Sequence, residues 1–328
     1  MRAIRWVGKQ LSKWRRAVFG LRATSPLIKI LCDPPPVESL LVNNRIPLGK
    51  KLGRGGGQGQ VYEVVGHSRF VYKQFYDPTE RPLPIEDSLE AYLEIVRLGE
   101  LLDTTLLSHG VFVLWPLAVF GEGDAVDGYL MRMIPQRFYL DMRTPYGVQR
   151  KLATLDYALP LKPRQVFRPV HQATLENLLE ILQQVALFLN TLHRHDMVYS
   201  DISFSNVLFS LDPVGVLIMD LDPVHNITRP LISRKDNVHT PDWADPLAKT
   251  GQEPYGFDLD RYKFSLLVYR LLGPNENGQT SINLPTDPHL SCEIPSPQRE
   301  KLEFVLSRAT GPRGSRPPIE EWLGALRA

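Results

Sequence analysis

The sequence predicts an α+β fold in two lobes, with strands first and helices second. Three observations lead there. Residues 45–75 are glycine-punctuated and β-rich, and Val111 to Phe120 and Gly128 to Ile134 read as further strands. Beyond them, Thr174 to His193, Asp258 to Leu272 and Ile319 to Leu326 repeat apolar residues at helical spacing. At 328 residues and 43% apolar content, the chain can bury one large core or two modest lobes.

Taken in order, the chain opens on a basic amphipathic arm, residues 1–31. Ile4, Val7, Leu11, Trp14, Val18 and Leu21 form one apolar stripe at alternating spacings of three and four. The arm holds eight basic side chains and no acid, which leaves 30 basic against 36 acidic residues elsewhere. The whole chain carries +2, so the remainder carries −6 and the two parts should behave differently. Residues 32–44 contain Pro34-Pro35-Pro36 and read as a Pro-rich linker. The β-rich lobe is expected over 45–135, with a Pro-free helix from Glu86 to Leu102, and the mainly helical lobe over 136–328.

Composition excludes several classes. Two cysteines, Cys32 and Cys292, make neither a disulfide framework nor a metal-ligand spacing, which fits a reducing compartment. No run of 18 apolar residues exists to form a membrane-spanning helix. Arginines interrupt any signal-peptide core in the arm.

Two acidic stretches stand about twenty residues apart. Asp201-Ile202-Ser203-Phe204-Ser205-Asn206 reads D-x-x-x-x-N on a loop, after the apolar helix and before apolar Val207-Leu208-Phe209. Asp220-Leu221-Asp222 closes the apolar run Val216 to Met219. Upstream, Leu52-Gly53-Arg54-Gly55-Gly56-Gly57-Gln58-Gly59-Gln60-Val61 is glycine-dense, and Arg69 to Phe75 carries one lysine, Lys73, in a strand-like run. Glycines let a backbone close over phosphates where a Cβ would clash.

These parts, in this order, resemble the protein kinase family over roughly residues 45 to 325. The D-x-D in place of D-F-G, with Thr240-Pro241-Asp242-Trp243-Ala244-Asp245-Pro246 after it, looks most like a bacterial Ser/Thr-kinase-like branch. The resemblance implies a two-lobed protein-kinase-like fold. It also implies ATP with Mg²⁺ or Mn²⁺ as cofactors, and transfer of the γ-phosphoryl group to a Ser or Thr hydroxyl of a protein substrate. By the same resemblance Lys73 contacts the phosphates and pairs with a helix carboxylate. Glu94 is preferred over Glu86 and Glu90 because Leu98 follows one turn on. Asp201 orients the acceptor hydroxyl, while Asn206 and Asp220 ligate the metal, with Asp222 as a further candidate ligand. Gly53, Gly55, Gly56 and Gly59 cover the phosphates. Val61 roofs the adenine, Met131 backs it and Met133 belongs to the hinge strand. Asp260 matches the helix aspartate that braces the catalytic-loop backbone.

The pattern also departs from the family's. The glycine loop is one residue too long, with an extra residue between Gly53-x-Gly55 and Gly59-x-Val61. Tyr199, Ser200 and Ser203 replace the usual histidine, arginine and lysine, and Leu247 replaces the glutamate that pairs with a late arginine. None of these removes Lys73, Asp201, Asn206 or Asp220, which favours an active enzyme. The alternative is an ATP-binding pseudokinase or scaffold that signals through a partner protein. Three readings stand for residues 1–31: a helix packed on the body, an anchor on an anionic membrane surface, and a targeting segment. The expected location is cytoplasmic, or peripheral at a membrane. No nucleic-acid module accompanies the basic arm.

Overall fold

A computed structural model describes residues 46–53, 58–76, 89–122, 125–159, 168–228, 240, 242–247, 256–274, 283–312 and 314–327. The arm (1–31), the linker (32–44), Gly55, Gly56, Glu86 and Pro241 lie outside the described residues. The chain is a mixed α+β protein, and its described residues fall into two compact units.

The first unit is built on strands β1 (Leu48–Leu52), β2 (Gly59–Val64) and β3 (Phe70–Phe75). Helix α1 (Leu89–Leu107) belongs to it as far as Glu100. Strand β4 (Val111–Val113) goes to the second unit, while β5 (Ala118–Glu122) and β6 (Ala125–Arg132) return to the first. The sheet order is β1-β2-β3-β6-β5, antiparallel throughout. Central β3 is buried on both faces except at Gln74, as a run of Phe, Val and Tyr dictates. Tyr92 of α1 closes one face against Phe75 and Tyr129, with ring centroids 5.5 and 5.9 Å away.

The expected single strand from Val111 to Phe120 is two strands in two sheets. Pro116 has no N–H to donate, so the ladder stops at Val113 and restarts at Ala118. An unbroken apolar run does not by itself reveal such a break, because both halves are buried.

The second unit takes in Leu101–Leu114 and everything described from Ile134 on. Strands β7 (Tyr139–Thr144), β8 (Gly147–Leu152) and β9 (Arg168–Pro169) form a small sheet in the order β8-β7-β9. Helix α2 (Leu175–His193) starts at Thr174, whose side chain accepts the Asn177 N–H while the Asn177 side chain accepts the Thr174 N–H. After it come β10 (Met197–Val198), β11 (Val207–Leu211), β12 (Val214–Ile218) and β13 (His225–Asn226). Helices α3 (Phe257–Leu272), α4 (Ser296–Ser307) and α5 (Ile319–Leu326) finish the unit. Of the four helices expected from periodicity, α2, α3 and α5 start and end within a residue of the expected bounds, whereas α1 runs on to Leu107, past the expected end at Leu102. The β7–β8 hairpin and α4 were not foreseen: β8 is exposed along almost its whole length, and α4 buries only Leu302, Val305 and Leu306. No helix among the described residues is long and apolar enough to cross a membrane.

Candidate active site

A short hairpin brings the two acidic stretches together. Strands β11 and β12 pair antiparallel with Val207 opposite Ile218. Asn206, just before β11, and Met219, just after β12, therefore meet at the same end, and the Met219 N–H donates to the Asn206 carbonyl at 3.0 Å. The 14-residue spacing from Asn206 to Asp220 is thus the length of a tight hairpin plus its exits. Asn206 Nδ2 donates to the Asp201 carbonyl at 2.9 Å and to Asp201 Oδ2 at 2.7 Å. With its nitrogen so committed, the Asn206 amide presents its oxygen away from Asp201.

The loop before Asn206 is fastened from three sides. Asp260 of α3, fully buried, accepts the Tyr199 N–H at 2.8 Å and the Ser200 N–H at 2.7 Å, and meets His193 Nε2 at 3.0 Å. The Tyr199 hydroxyl donates to the Met219 carbonyl at 2.6 Å, and Ser200 Oγ donates to the Pro223 carbonyl at 3.1 Å. Burial first, then the charges of Asp201, Asp220, Asp260 and Asp222, push the Tyr199 phenol far above its ordinary value. The phenol therefore stays protonated and remains a donor. Ser200 and Asp220 hold positive φ of 63° and 56°, conformations that persist only where the surroundings enforce them. Both lie on the segments these bonds clamp.

Asp201 is buried, and both of its carboxylate oxygens accept hydrogen bonds. Its Oδ1 accepts the Thr240 N–H at 3.3 Å and the Thr240 hydroxyl at 3.1 Å, and lies 3.6 Å from Lys263 Nζ. Trp243 packs edge-on against Phe204 at 5.0 Å, so the Thr240–Pro246 region is seated on the loop by an apolar contact as well. Ser203 is wholly buried, with its Oγ 2.9 Å from Ser205 Oγ.

Sequence reasoning missed two residues here. Lys263 stands on α3 among other charged residues, and nothing in the helical periodicity marks it as a buried cation. Asp245 is the other. Leu247 was expected to leave a late arginine without its acid, but Asp245, two residues earlier, holds Arg316 in a bidentate pair with both side chains buried. Arg316 also donates to the Asp258 carbonyl at 2.8 Å and lies over the Tyr262 ring. Leu247 itself is exposed, and its N–H donates to Asp245 Oδ1 at 3.0 Å.

In the first unit, Lys73 sits on β3 with Val61 and Tyr129 directly across from it. Val71, one pleat back, faces Met131. Val61, Lys73, Tyr129 and Met131 therefore share one face of the sheet. Lys73 is 7% exposed, and its ammonium lies 5.9 Å from the Tyr129 ring centroid. Met133 follows β6 and donates its N–H to the Arg69 carbonyl at 2.8 Å. On α1, Glu90 is exposed and Glu94 half-buried, with Leu98 buried one turn on. Gly53 has φ +65° with open space at its Cβ position. Gly59 has a different reason to be glycine: a Cβ there would come within 2.3 Å of the Gln74 carbonyl oxygen. Gln60 ties the base of the loop, donating to the Leu52 carbonyl at 2.7 Å.

Among the described residues no three His, Cys, Asp or Glu side chains are grouped to hold a metal ion. The oxygens of Asn206 and Asp220 still suit Mg²⁺. That ion prefers hard oxygen donors and keeps water and phosphate as most of its ligands, so it needs few from the protein. No protein-family model matches the chain, and no curated protein matches it in sequence.

Proposed function

We propose that this chain is a phosphotransferase of protein-kinase type that moves the γ-phosphoryl group of ATP to a Ser or Thr hydroxyl. The observation that carries the proposal is the Asp201–Asn206–Asp220 arrangement. Asp201 is gripped by Asn206 and Thr240, and Asp220 holds a left-handed conformation one residue past Met219, whose N–H donates to the Asn206 carbonyl. Such rigidity suits a reaction in which positioning and charge supply most of the catalysis.

In this reading the two compact units are the two lobes of a kinase domain. Asp201 receives the proton of the acceptor hydroxyl and sets its line of attack. The oxygens of Asn206 and Asp220 would hold Mg²⁺, which neutralises phosphate charge when bound. Lys73 would hold the α- and β-phosphates with Glu94 as its partner, and Val61, Met131 and Met133 would line the adenine slot. Asp260, Tyr199 and Ser200 keep the loop in place. The expected substrate is a protein, since the Thr240–Pro246 region resembles a peptide-positioning element and is packed on the loop through Trp243.

The test is radiolabel transfer from γ-labelled ATP by the purified full chain with Mg²⁺ or Mn²⁺, beside Asp201→Ala. Label on the protein or on dephosphorylated casein that vanishes in the variant is the expected result. No label above the variant, with ATP still raising the melting temperature, would replace this reading with that of a nucleotide-binding scaffold.

A further inference from the structure

The loop from Tyr199 to Asn206 contains no basic residue, yet an ammonium is built in against it. Lys263 lies on α3, nearly one turn beyond Asp260, and its side chain has no exposure at all. Its Nζ donates to the Ser200 carbonyl at 2.7 Å and lies 3.6 Å from Asp201 Oδ1. Burying an ammonium costs several kcal/mol unless it is paired and hydrogen-bonded. Packing alone would be served better by an apolar side chain, as it is at the neighbouring buried positions Phe264, Leu266 and Leu267. Desolvation pulls the Lys263 ammonium below its ordinary value, and Asp201, Asp260 and Asp245 act against that pull. The cation therefore depends on the acids around the catalytic loop.

Because Nζ is sealed from solvent, any effect it has on a reacting group passes through Asp201 and the loop backbone. We propose that Lys263 is a positioning residue for the transfer: it fixes the Asp201 carboxylate and the Ser200 carbonyl so that Asp201 meets the acceptor hydroxyl in one orientation. Thr240 shares Oδ1 with it, and Asn206 holds Oδ2. The residue supplies from the helix a charge that the loop lacks. This inference rests on the phosphotransferase reading.

The experiment compares Lys263→Gln, which keeps a donor and loses the charge, with Lys263→Arg, which keeps both. Turnover of γ-labelled ATP and KM for ATP are read in the full chain. Urea unfolding of Lys263→Gln, Asp201→Asn and the double variant completes a cycle. Lys263→Gln is expected to lower kcat about 10²-fold through misplacement of Asp201. Its KM for ATP should stay within about threefold of the wild type, as for a loss confined to the chemical step. Lys263→Arg should recover most of the turnover, and the unfolding cycle should be non-additive. Wild-type turnover in Lys263→Gln overturns the proposal, and so does a joint loss of turnover and ATP binding that arginine does not restore. Should the glutamine variant fail to fold, arginine decides: substantial turnover upholds the role, and loss to the Asp201→Ala level overturns it. If the wild type transfers no phosphate, the phosphotransferase reading fails by itself. The unfolding cycle then judges Lys263 separately, with additivity overturning its pairing to Asp201 and coupling upholding it.

Discussion

The carboxylate of Asp260 receives the backbone N–H of Ser200 at 2.7 Å across 60 residues of sequence, and its other oxygen receives the N–H of Tyr199. One fully buried side chain thus fixes the backbone that enters the Tyr199–Asn206 loop. In Asp260→Ala both amides lose their acceptor, and Lys263 loses a nearby counter-charge. Each stranded buried donor costs about 1–3 kcal/mol. Urea unfolding should therefore show a loss of about 3 kcal/mol or more, with Asp260→Asn recovering part of it because one amide regains an oxygen. A loss below about 1 kcal/mol, the scale of an ordinary hydrogen bond, would show that the loop holds itself.

Tyr199 makes a prediction for alkaline pH. Its unfolded phenol ionises near the ordinary value of 10.0, while burial and four nearby carboxylates keep the native phenol protonated well beyond that. The native state then holds more protons than the unfolded state above about pH 10, so stability falls as pH rises. Tyr72, raised mainly by burial and then by Asp127, acts in the same direction. Tyr199→Phe should flatten that fall and remove one late-ionising phenol from an absorbance titration of the native protein. Loss of a phenol ionising at about pH 10, with the late phase unchanged, would mean that Tyr199 ionises with the surface tyrosines.

The Asp245–Arg316 pair is almost sealed from solvent, with side chains 1% and 2% exposed. Removing one partner of such a pair strands a buried charge, at about 3–5 kcal/mol. Asp245→Ala should therefore be far more damaging than a surface change, because the Arg316 guanidinium stays behind among Tyr262 and the Asp258 and Gly311 carbonyls. Asp245→Leu combined with Arg316→Met should lose clearly less than Asp245→Ala alone in thermal unfolding. Additive losses would assign the effect to packing.

Gly59 separates a packing role from a ligand role. A methyl group there meets the Gln74 carbonyl oxygen at 2.3 Å, and the β2–β3 pairing leaves that backbone little room to move. Gly59→Ala should destabilise the nucleotide-free protein by roughly 1–3 kcal/mol, the cost of an overpacked core, and lower its melting temperature accordingly. Normal stability with weakened ATP binding would return Gly59 to the phosphate-binding role that the sequence pattern suggests.

The α+β class, helices α2, α3 and α5, and the D-x-x-x-x-N and D-x-D stretches were readable because each is carried by local spacing. The brace from Asp260 was readable only through the family resemblance, not from local spacing. Lys263 was not, since burial of a charge is decided by a partner 63 residues away and leaves no mark on periodicity. Asp245 was missed because an acid two positions from the expected one can reach the same arginine when the backbone turns differently. The break at Pro116 was hidden by flanks that are apolar in both sheets. In each case the missing information is tertiary: which face is covered, and by what.

Asp220 offers the sharpest test of the metal assignment. It follows β12, holds φ +56°, and lies beyond Met219, whose carbonyl takes the Tyr199 hydroxyl and whose N–H reaches Asn206. The backbone is thereby committed to one direction at that carboxylate, a use of strain typical of sites that must hold a ligand in place. Asp222, two residues on, is buried, whereas Asp220 is half-buried. If Asp220 supplies the metal oxygen, Asp220→Asn should abolish the Mg²⁺-dependent part of ATP's thermal stabilisation, while any Mg²⁺-independent part remains. Ligand stabilisation follows RT ln(1 + [L]/Kd), so a hundredfold weaker site at saturating ATP gives up about 2.7 kcal/mol, which a melting curve resolves easily. Asp222→Asn should leave the Mg²⁺-dependent part intact. The reverse pattern would move the metal to Asp222 and assign Asp220 to holding the loop.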